Sequence, residues 1–473
     1  MRDMVVLINL DSGVCQSMAR TLRAEHIYCK ILPAQSTAQD VLSQDALGIL
    51  LAGASTGEKA EVPHLDELLG CGLPILGMGD AALTLCEAMG GSLGDKAADP
   101  GVVQVRFDGD DALLQGVESS ERYLPALRCM IFDDAMAQPL ARTDSGVLGF
   151  RALRTAVYGM AFLPEQNDQD GVQLLVNFCH GVCGCTLWWS NQAFLERARE
   201  EIGRAANGAE AICAISGGVD SGVCALLGNM ALGHKLHCLF VDTGLLRKGE
   251  GDQVMTFFRE EMGLNLTRIN AAPEFLAALQ GVTDAAEKER IIYALLQDIM
   301  AREVAARPQV RLILQGTNYN DILENTAAEP VPDGVTVVEP VRELFKDEIK
   351  RVGEEMKLPE TIIKRQPFPG AGLATRIAGE VTEEKLNVLR EADAIFRTEM
   401  EADRQVKRLY QYYAMLADAS FQHGYTVTLR AVQIVEGANR IAARPPYDLL
   451  ERVAQHIRET QPLVSSIVYD LTP

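Results

Sequence analysis

The stretch "AICAISGGVDSGVCALL", Ala211 to Leu227, holds the first sign of the fold. It opens as an apolar run of strand length and closes as an apolar helical pattern, with two glycines and two serines between. A strand that delivers Ser216, Gly217, Gly218, Val219, Asp220 and Ser221 to a helix N-terminus aims unpaired backbone N–H groups and the positive end of the helix dipole into one small volume. The glycines admit a phosphate without a Cβ in the way, and the serine hydroxyls add donors at both ends. Pyrophosphate or a triphosphate tail is the ligand such a turn suits. A Walker A loop needs Lys followed by Ser or Thr after its last glycine, and a dinucleotide loop needs G-x-G-x-x-G; this stretch has neither. On the two glycines alone, an ordinary tight strand-to-helix turn is an equal reading.

Outward from this stretch, apolar strand-like runs alternate with helical patterns, which predicts an α/β architecture with mostly parallel sheets. Before it, "VVLINL", "ALGILLAG", "LPILGMG" and "VYGMAFLPE" read as strands, and "NQAFLERAREEIGRAANG" as a helix. Around and after it, "AICAISGG", "LHCLFVDTG", "LNLTRINAA" and "RLILQGTN" read as strands. Beyond "QPFPGAG" the chain is helical at "VTEEKLNVLREADAIFRTEM" and ends in the strand-like "SSIVYDLTP". The expected division is three domains: 1–190, 191–365 and a smaller α+β part, 366–473.

Composition narrows the function classes. The chain has 473 residues, with 65 acidic against 44 basic side chains, so its overall field opposes non-specific binding to nucleic acid or an anionic membrane. Any polyanion must therefore be met by a local site. No apolar run reaches the roughly 18 residues of a membrane span, and Asp3 and Asp11 flank the first apolar run, unlike a signal peptide. A cytoplasmic chain is the expectation. The eleven cysteines are odd in number and several lie inside strand-like runs, the pattern of reduced buried thiols. The densest group, Cys179, His180, Cys183 and Cys185 in "FCHGVCGC", lacks a second ligand pair at zinc spacing, so structural thiols are favoured over a metal site.

"SGGVDS" is the signature of the PP-loop ATP pyrophosphatases, and the neighbouring motifs resemble the GMP synthase family. "LFVDTGLLRKGE", "GVTDAAEKERII", "LILQGTNYNDILEN", "EPVRELFKDEI", "QPFPGAGLATRI" and "RPPYDLLERV" are similar to that family in its order. "GILLAGAS", "GLPILGMGDA", "AFLPEQ" and "FCHGVCGC" extend the likeness over the N-terminal part, which resembles a class I glutamine amidotransferase. The resemblance implies adenylation of the C2 carbonyl oxygen of xanthosine monophosphate by ATP, release of pyrophosphate, and displacement of AMP by ammonia. It implies that Ser216, Gly217, Gly218, Val219, Asp220 and Ser221 hold the pyrophosphate, with Ser216, Asp220 and Ser221 nearest the chemistry. ATP and Mg²⁺ are the implied cofactors; Asp220 and Asp321 are the expected metal ligands, because Mg²⁺ takes carboxylate and phosphate oxygens. Asp242, Gly316 and Thr317 lie at strand ends, where ligands of open α/β sheets collect, and are expected against the nucleotide. Arg290, Arg342, Lys346 and Arg376 are charges that either meet phosphate or are solvated.

The departures from the family are equally specific. Its glutaminase cysteine occupies a Gly-x-Cys-x-Gly elbow; here that elbow is "GMGDA", with Gly79 at the nucleophile and Ala81 at the last glycine. The histidine of its His-Pro-Glu is Leu163, although Glu165 is kept, and Cys86 lies seven residues beyond the elbow, on the following helix. Thiolate attack on an amide needs both sulfur and imidazole, so no glutaminase activity is expected. The family's basic lid is replaced by "TAAEPVPDGVT", with Glu329 and Asp333 and no Lys, Arg or His, and the end at "VYDLTP" reads as a shortened terminus. A divergent paralogue fits this combination. Two classes compete: an ATP-dependent ligase using free or partner-supplied ammonia on an XMP-like or other carbonyl substrate, and a non-catalytic ATP-binding or regulatory protein. "TLRAVQIVEG" and "SSIVYDLTP" resemble the family's dimer sheet, which predicts a homodimer through the C-terminal part.

Overall fold

The computed structural model describes residues 3–96, 101–164, 168–323, 334–403, 409–419, 423–435 and 439–472. The chain divides into two compact units, Met1–Phe194 and Leu195–Pro473. It is an α/β protein in both.

In the first unit, the strands Cys29–Pro33, Val5–Asn9, Gly48–Ala52, Ile75–Met78 and Val157–Met160 lie side by side and parallel. Val5 to Ile8 and Gly48 to Ala52 are buried along their whole length, as parallel strands covered on both faces must be. The helix Ser12–Ala24 covers part of this sheet; the Asp11 carboxylate caps it by accepting from the Val14 N–H at 2.9 Å. From Val157–Met160 the sheet continues antiparallel through Gly146–Ala152, Ala137–Thr143, Gly101–Phe107 and Ser120–Leu124.

In the second unit, five parallel strands run in the order Leu266–Asn270, Leu236–Asp242, Glu210–Ala214, Val310–Leu314, Thr336–Val338. The chain starts at the central Glu210–Ala214, moves outward on one side, and returns to fill the other. That reversal puts a crevice at the carboxyl ends of Glu210–Ala214 and Val310–Leu314, where open α/β sheets bind ligands. A four-stranded sheet, Gln411–Asp418, Tyr425–Val435, Asn439–Ala442 and Val464–Asp470, packs against the helices Glu383–Ala402 and Tyr447–Thr460. One apolar core runs from Leu245 and Phe275 through Leu373 and Phe396 to Val427 and Val464, joining the segments on either side of residue 365. Among the described residues no helix is long and apolar enough to cross a membrane.

Candidate active site

The loop after Glu210–Ala214 leads straight into the helix Val219–Leu232. Its ends are tied together by serine hydroxyls. The Ser216 N–H donates to Ser221 Oγ at 3.1 Å, the two hydroxyls lie 3.0 Å apart, and Ser221 Oγ donates to the Gly218 carbonyl at 3.2 Å. The Gly218 N–H turns inward and reaches Ser216 Oγ at only 3.3 Å. This is a small ring of donors at a helix N-terminus.

Asp220 stands in the first turn of that helix. Its Oδ2 lies 3.5 Å from Lys346 Nζ and accepts from Asn318 Nδ2 at 3.5 Å, while its Oδ1 is buried with no hydrogen-bond partner among the described residues. Burial pushes its carboxyl above the usual aspartate range, Asp321 pushes the same way, and Lys346 opposes both. The strand end at Gly316 makes this packing possible: a Cβ there would lie 3.0 Å from Asp220 C and 3.0 Å from Ser221 N. Asp321 accepts from the Asn318 N–H at 2.9 Å, and Thr317 is half-buried on the same connection. A buried, unpartnered carboxylate oxygen with a second carboxylate acting on it fits a divalent cation that takes its remaining ligands from phosphates.

Asp242 is tied instead to the neighbouring strand and its own turn. Its carboxylate accepts from Arg268 and from the Gly244 N–H at 3.0 Å. Of the four expected basic residues, the structure brings Lys346 to the loop. Arg290 is exposed and pairs with Glu287 at 2.7 Å, and Arg342 pairs with Glu339. Arg376 is buried: it lies 3.5 Å from Asp393 and over the rings of Phe368 and Tyr413, at 5.2 and 4.2 Å.

Arg376 has company that sequence reading missed. Arg247 lies 3.4 Å from the same Asp393 and 4.4 Å from the Phe368 centroid, and its Nη2 is buried without a hydrogen-bond partner among the described residues. Arg365 pairs with Glu250 and donates from Nη1 to the Gly217 carbonyl at 2.6 Å. Burial pushes each of these three guanidinium groups down to about 10, so all stay charged at neutral pH. The three guanidinium groups share the Phe368 ring and pair with Asp393 and Glu250, and Arg365 carries the group to the loop at Gly217.

In the first unit the expected elbow is present as backbone. Gly79 follows the strand Ile75–Met78 at φ 61° and ψ −131°, and opens the helix Asp80–Ala88. A Cβ on Gly79 would lie 2.1 Å from the Ala54 carbonyl oxygen and 3.1 Å from Leu163 Cδ2. The Asp80 N–H holds that carbonyl at 2.7 Å. The Asp80 carboxylate accepts from Thr56 N, Thr56 Oγ1 and Gly57 N at 3.0, 2.7 and 2.9 Å, fixing the loop over the elbow. Ala81 is fully buried, and Glu165 lies outside the described residues. Cys86 is buried on the helix, and desolvation pushes its thiol up to about 12. In "FCHGVCGC" burial raises the thiols of Cys179, Cys183 and Cys185, while His180 Nδ1 lies 2.7 Å from the Cys185 carbonyl. Among the described residues no cluster of three or more His, Cys, Asp or Glu is arranged to hold a metal.

A protein from Caldicellulosiruptor saccharolyticus named GMP synthase [glutamine-hydrolyzing] is 34% identical to this chain over 498 residues, covering 99% of this chain and 98% of that protein. The chain belongs to the GMP synthase family. The same name belongs to a relative from Clostridium perfringens, 34% identical over 504 residues, with 100% and 98% covered. The NAD synthase family matches residues 192–416 of this GMP synthase family member, the stretch that contains the loop. An NMN synthetase structure from Francisella tularensis shares 18% identity at a TM-score of 0.33, covering 39% of this chain and 77% of its own, too slight a likeness to bear on fold or function.

The GMP synthase motifs marked the right segments but not every residue in them. Arg247 stands in "LLRKGE" and Arg365 just before "QPFPGAG", each beside residues that read as loop. Their one signal was an arginine next to an apolar or Phe-Pro run, where a guanidinium finds an aromatic face. The segment expected to replace a basic lid, 326–336, lies outside the described residues as far as 333, with Glu329 and Asp333 among those left out.

Proposed function

We propose that this GMP synthase family member is an ATP-dependent carbon–nitrogen ligase that activates a carbonyl oxygen by adenylation and has no glutaminase of its own. The observation that carries the reading is Asp220, held beneath the SGGVDS ring with one buried carboxylate oxygen unpartnered among the described residues. The acceptor's carbonyl oxygen attacks the α-phosphorus of ATP, and the bond to the β-phosphate breaks. The charge that develops on departing pyrophosphate is met by the N–H groups and hydroxyls of residues 216–221 and by the Lys346 ammonium, preorganised for it. Asp220 and Asp321 would hold Mg²⁺, whose chemistry is to neutralise phosphate charge. Ammonia then attacks the activated carbon, its surplus protons pass to water, and the carbon–oxygen bond to AMP breaks. Gly316 and Thr317 are assigned to the nucleotide, and the arginines gathered at Phe368, which reach the loop through Arg365, suit an anionic acceptor such as xanthosine monophosphate. Asp242, tied to Arg268, shapes the turn beside the nucleotide.

The first unit acts in this proposal as a pseudo-glutaminase, and nitrogen comes from free or partner-supplied ammonia. Support comes from Gly79, which has no side chain to attack with, and from the Ala54 carbonyl held where a nucleophile's Cβ would stand. We place the work in the cytoplasm, where buried thiols such as Cys213 and Cys224 stay reduced. We also divide the second unit near residue 365 into a nucleotide-binding and a dimerising part. The proposal is tested by two measurements. Ser216→Ala with Asp220→Ala should abolish ATP binding without loss of fold, and incubation with glutamine should yield no glutamate above the blank. Unchanged ATP affinity in the double variant would sink the ligase assignment, and glutamate production would sink the pseudo-glutaminase.

A further inference from the structure

Arg365 is not in the ring of residues 216–221, yet it controls one of its peptides. Its Nη1 donates to the Gly217 carbonyl at 2.6 Å, and a Cβ on Gly217 would lie 2.9 Å from that nitrogen, so the guanidinium sits directly against this residue. The carbonyl of Gly217 and the N–H of Gly218 belong to the same planar trans peptide and point in opposite directions. Holding the carbonyl outward therefore turns the Gly218 N–H inward, where it reaches Ser216 Oγ at a weak 3.3 Å. A phosphate oxygen placed in the ring would take this donor readily. Were the peptide to flip, the ring would offer an anion a carbonyl oxygen instead. Gly217 stands at φ +79°, and glycine flanks the peptide on both sides, so the backbone itself does little to forbid the flip.

The other side of the guanidinium pairs with Glu250, which is 8% exposed and whose second oxygen accepts from the Arg247 N–H at 3.0 Å. Arg365 also lies 5.8 Å from the Phe368 centroid, the ring that Arg247 and Arg376 share. Only a fork of donors can hold a backbone carbonyl and a carboxylate at once in this way; a lysine ammonium at the end of a mobile stem does not reproduce it.

We propose that Arg365 is a positioning residue of the loop, locking the Gly217–Gly218 peptide with its N–H toward bound pyrophosphate and tying it through Glu250 to the Arg247 segment. The inference rests on the reading of residues 216–221 as a pyrophosphate site. It is tested by titrating inorganic pyrophosphate with Mg²⁺ into the full chain, wild type against Arg365→Lys and Glu250→Gln, with melting temperatures for each. Arg365→Lys keeps the charge but loses the fork, and should weaken pyrophosphate at least about tenfold, the loss of one charge-assisted hydrogen bond. Glu250→Gln removes the ion pair and shares its cost in stability, but leaves the Gly217 contact, and should change affinity less than about twofold. Wild-type affinity in Arg365→Lys would overturn the proposal. So would an equal loss in both variants, because the affinity would then follow the ion pair and not the peptide. A wild type that binds no pyrophosphate overturns the loop reading itself, a result that neither variant can imitate.

Discussion

Asp220 holds a carboxylate in surroundings that resist its ionisation, since burial and Asp321 both push its proton affinity up. An acid raised in this way stabilises the fold only while protonated: its contribution is full below the unfolded aspartate range and is lost as pH rises through the folded value. At neutral pH the native state therefore carries a cost that a bound cation would relieve. Asp220→Asn should lower pyrophosphate release by roughly 100-fold or more, while its melting temperature in apo protein equals or exceeds wild type. A lower melting temperature would show the carboxylate to be a structural anchor. The sign also fixes pH dependence. Binding of ATP with Mg²⁺ should fade on acidification at a higher pH than an ordinary aspartate would give, and calorimetry across pH should show the fading absent from Asp220→Asn. The elbow gives a second prediction at this scale. Gly79→Cys with Leu163→His should still release no glutamate from glutamine, because the Ala54 carbonyl, pinned by Asp80, lies 2.1 Å from where the new Cβ must go.

Among the elements, the contact that builds the site is the strand end at Gly316 against the first turn of Val219–Leu232. Gly316→Ala inserts a Cβ 3.0 Å from two backbone atoms, which cannot rotate away, so the turn must shift. ATP affinity, measured by calorimetry, should fall roughly tenfold or more. What could be read from sequence follows the same physics. The buried stretches Val5 to Ile8, Gly48 to Ala52 and Ala211 to Cys213 are covered on both faces and appear as unbroken apolar runs, so they were legible. The antiparallel extension was not: Gly101–Phe107 and Arg128–Ile131 mix exposed and buried positions and look like loop until their partners are known. The loop of the site was legible because all six residues are consecutive. Arg365 was not, because its contact with Gly217 spans 148 positions and depends on how the sheet brings distant segments together.

At the scale of the whole molecule, the outer face of the four-stranded sheet carries rows in which Met415, Thr428 and Val468, and then Tyr413, Arg430 and Asp470, stand side by side. The opposite face, with Val427, Leu429 and Ala431, is buried in the core. A solvent-facing sheet on which Arg430 and Asp470 pair with each other, with Val468 44% exposed and Ile434 48%, suits a second copy of the chain. Light scattering at micromolar concentration should give the mass of two chains, and Val468→Glu should halve it; a single-chain mass for the wild type would refute the dimer. The central claim is that the second unit makes AMP and pyrophosphate from ATP while aminating a nucleotide carbonyl with ammonia. The most direct measurement is pyrophosphate release by the pure full-length chain supplied with ATP, Mg²⁺, ammonium and xanthosine monophosphate. The account predicts pyrophosphate and AMP in equal amounts, dependent on the acceptor and ammonium and unchanged when glutamine is added. ATP bound but never cleaved, with any of a panel of purine nucleotide acceptors, would contradict it and leave a nucleotide-binding protein without catalysis.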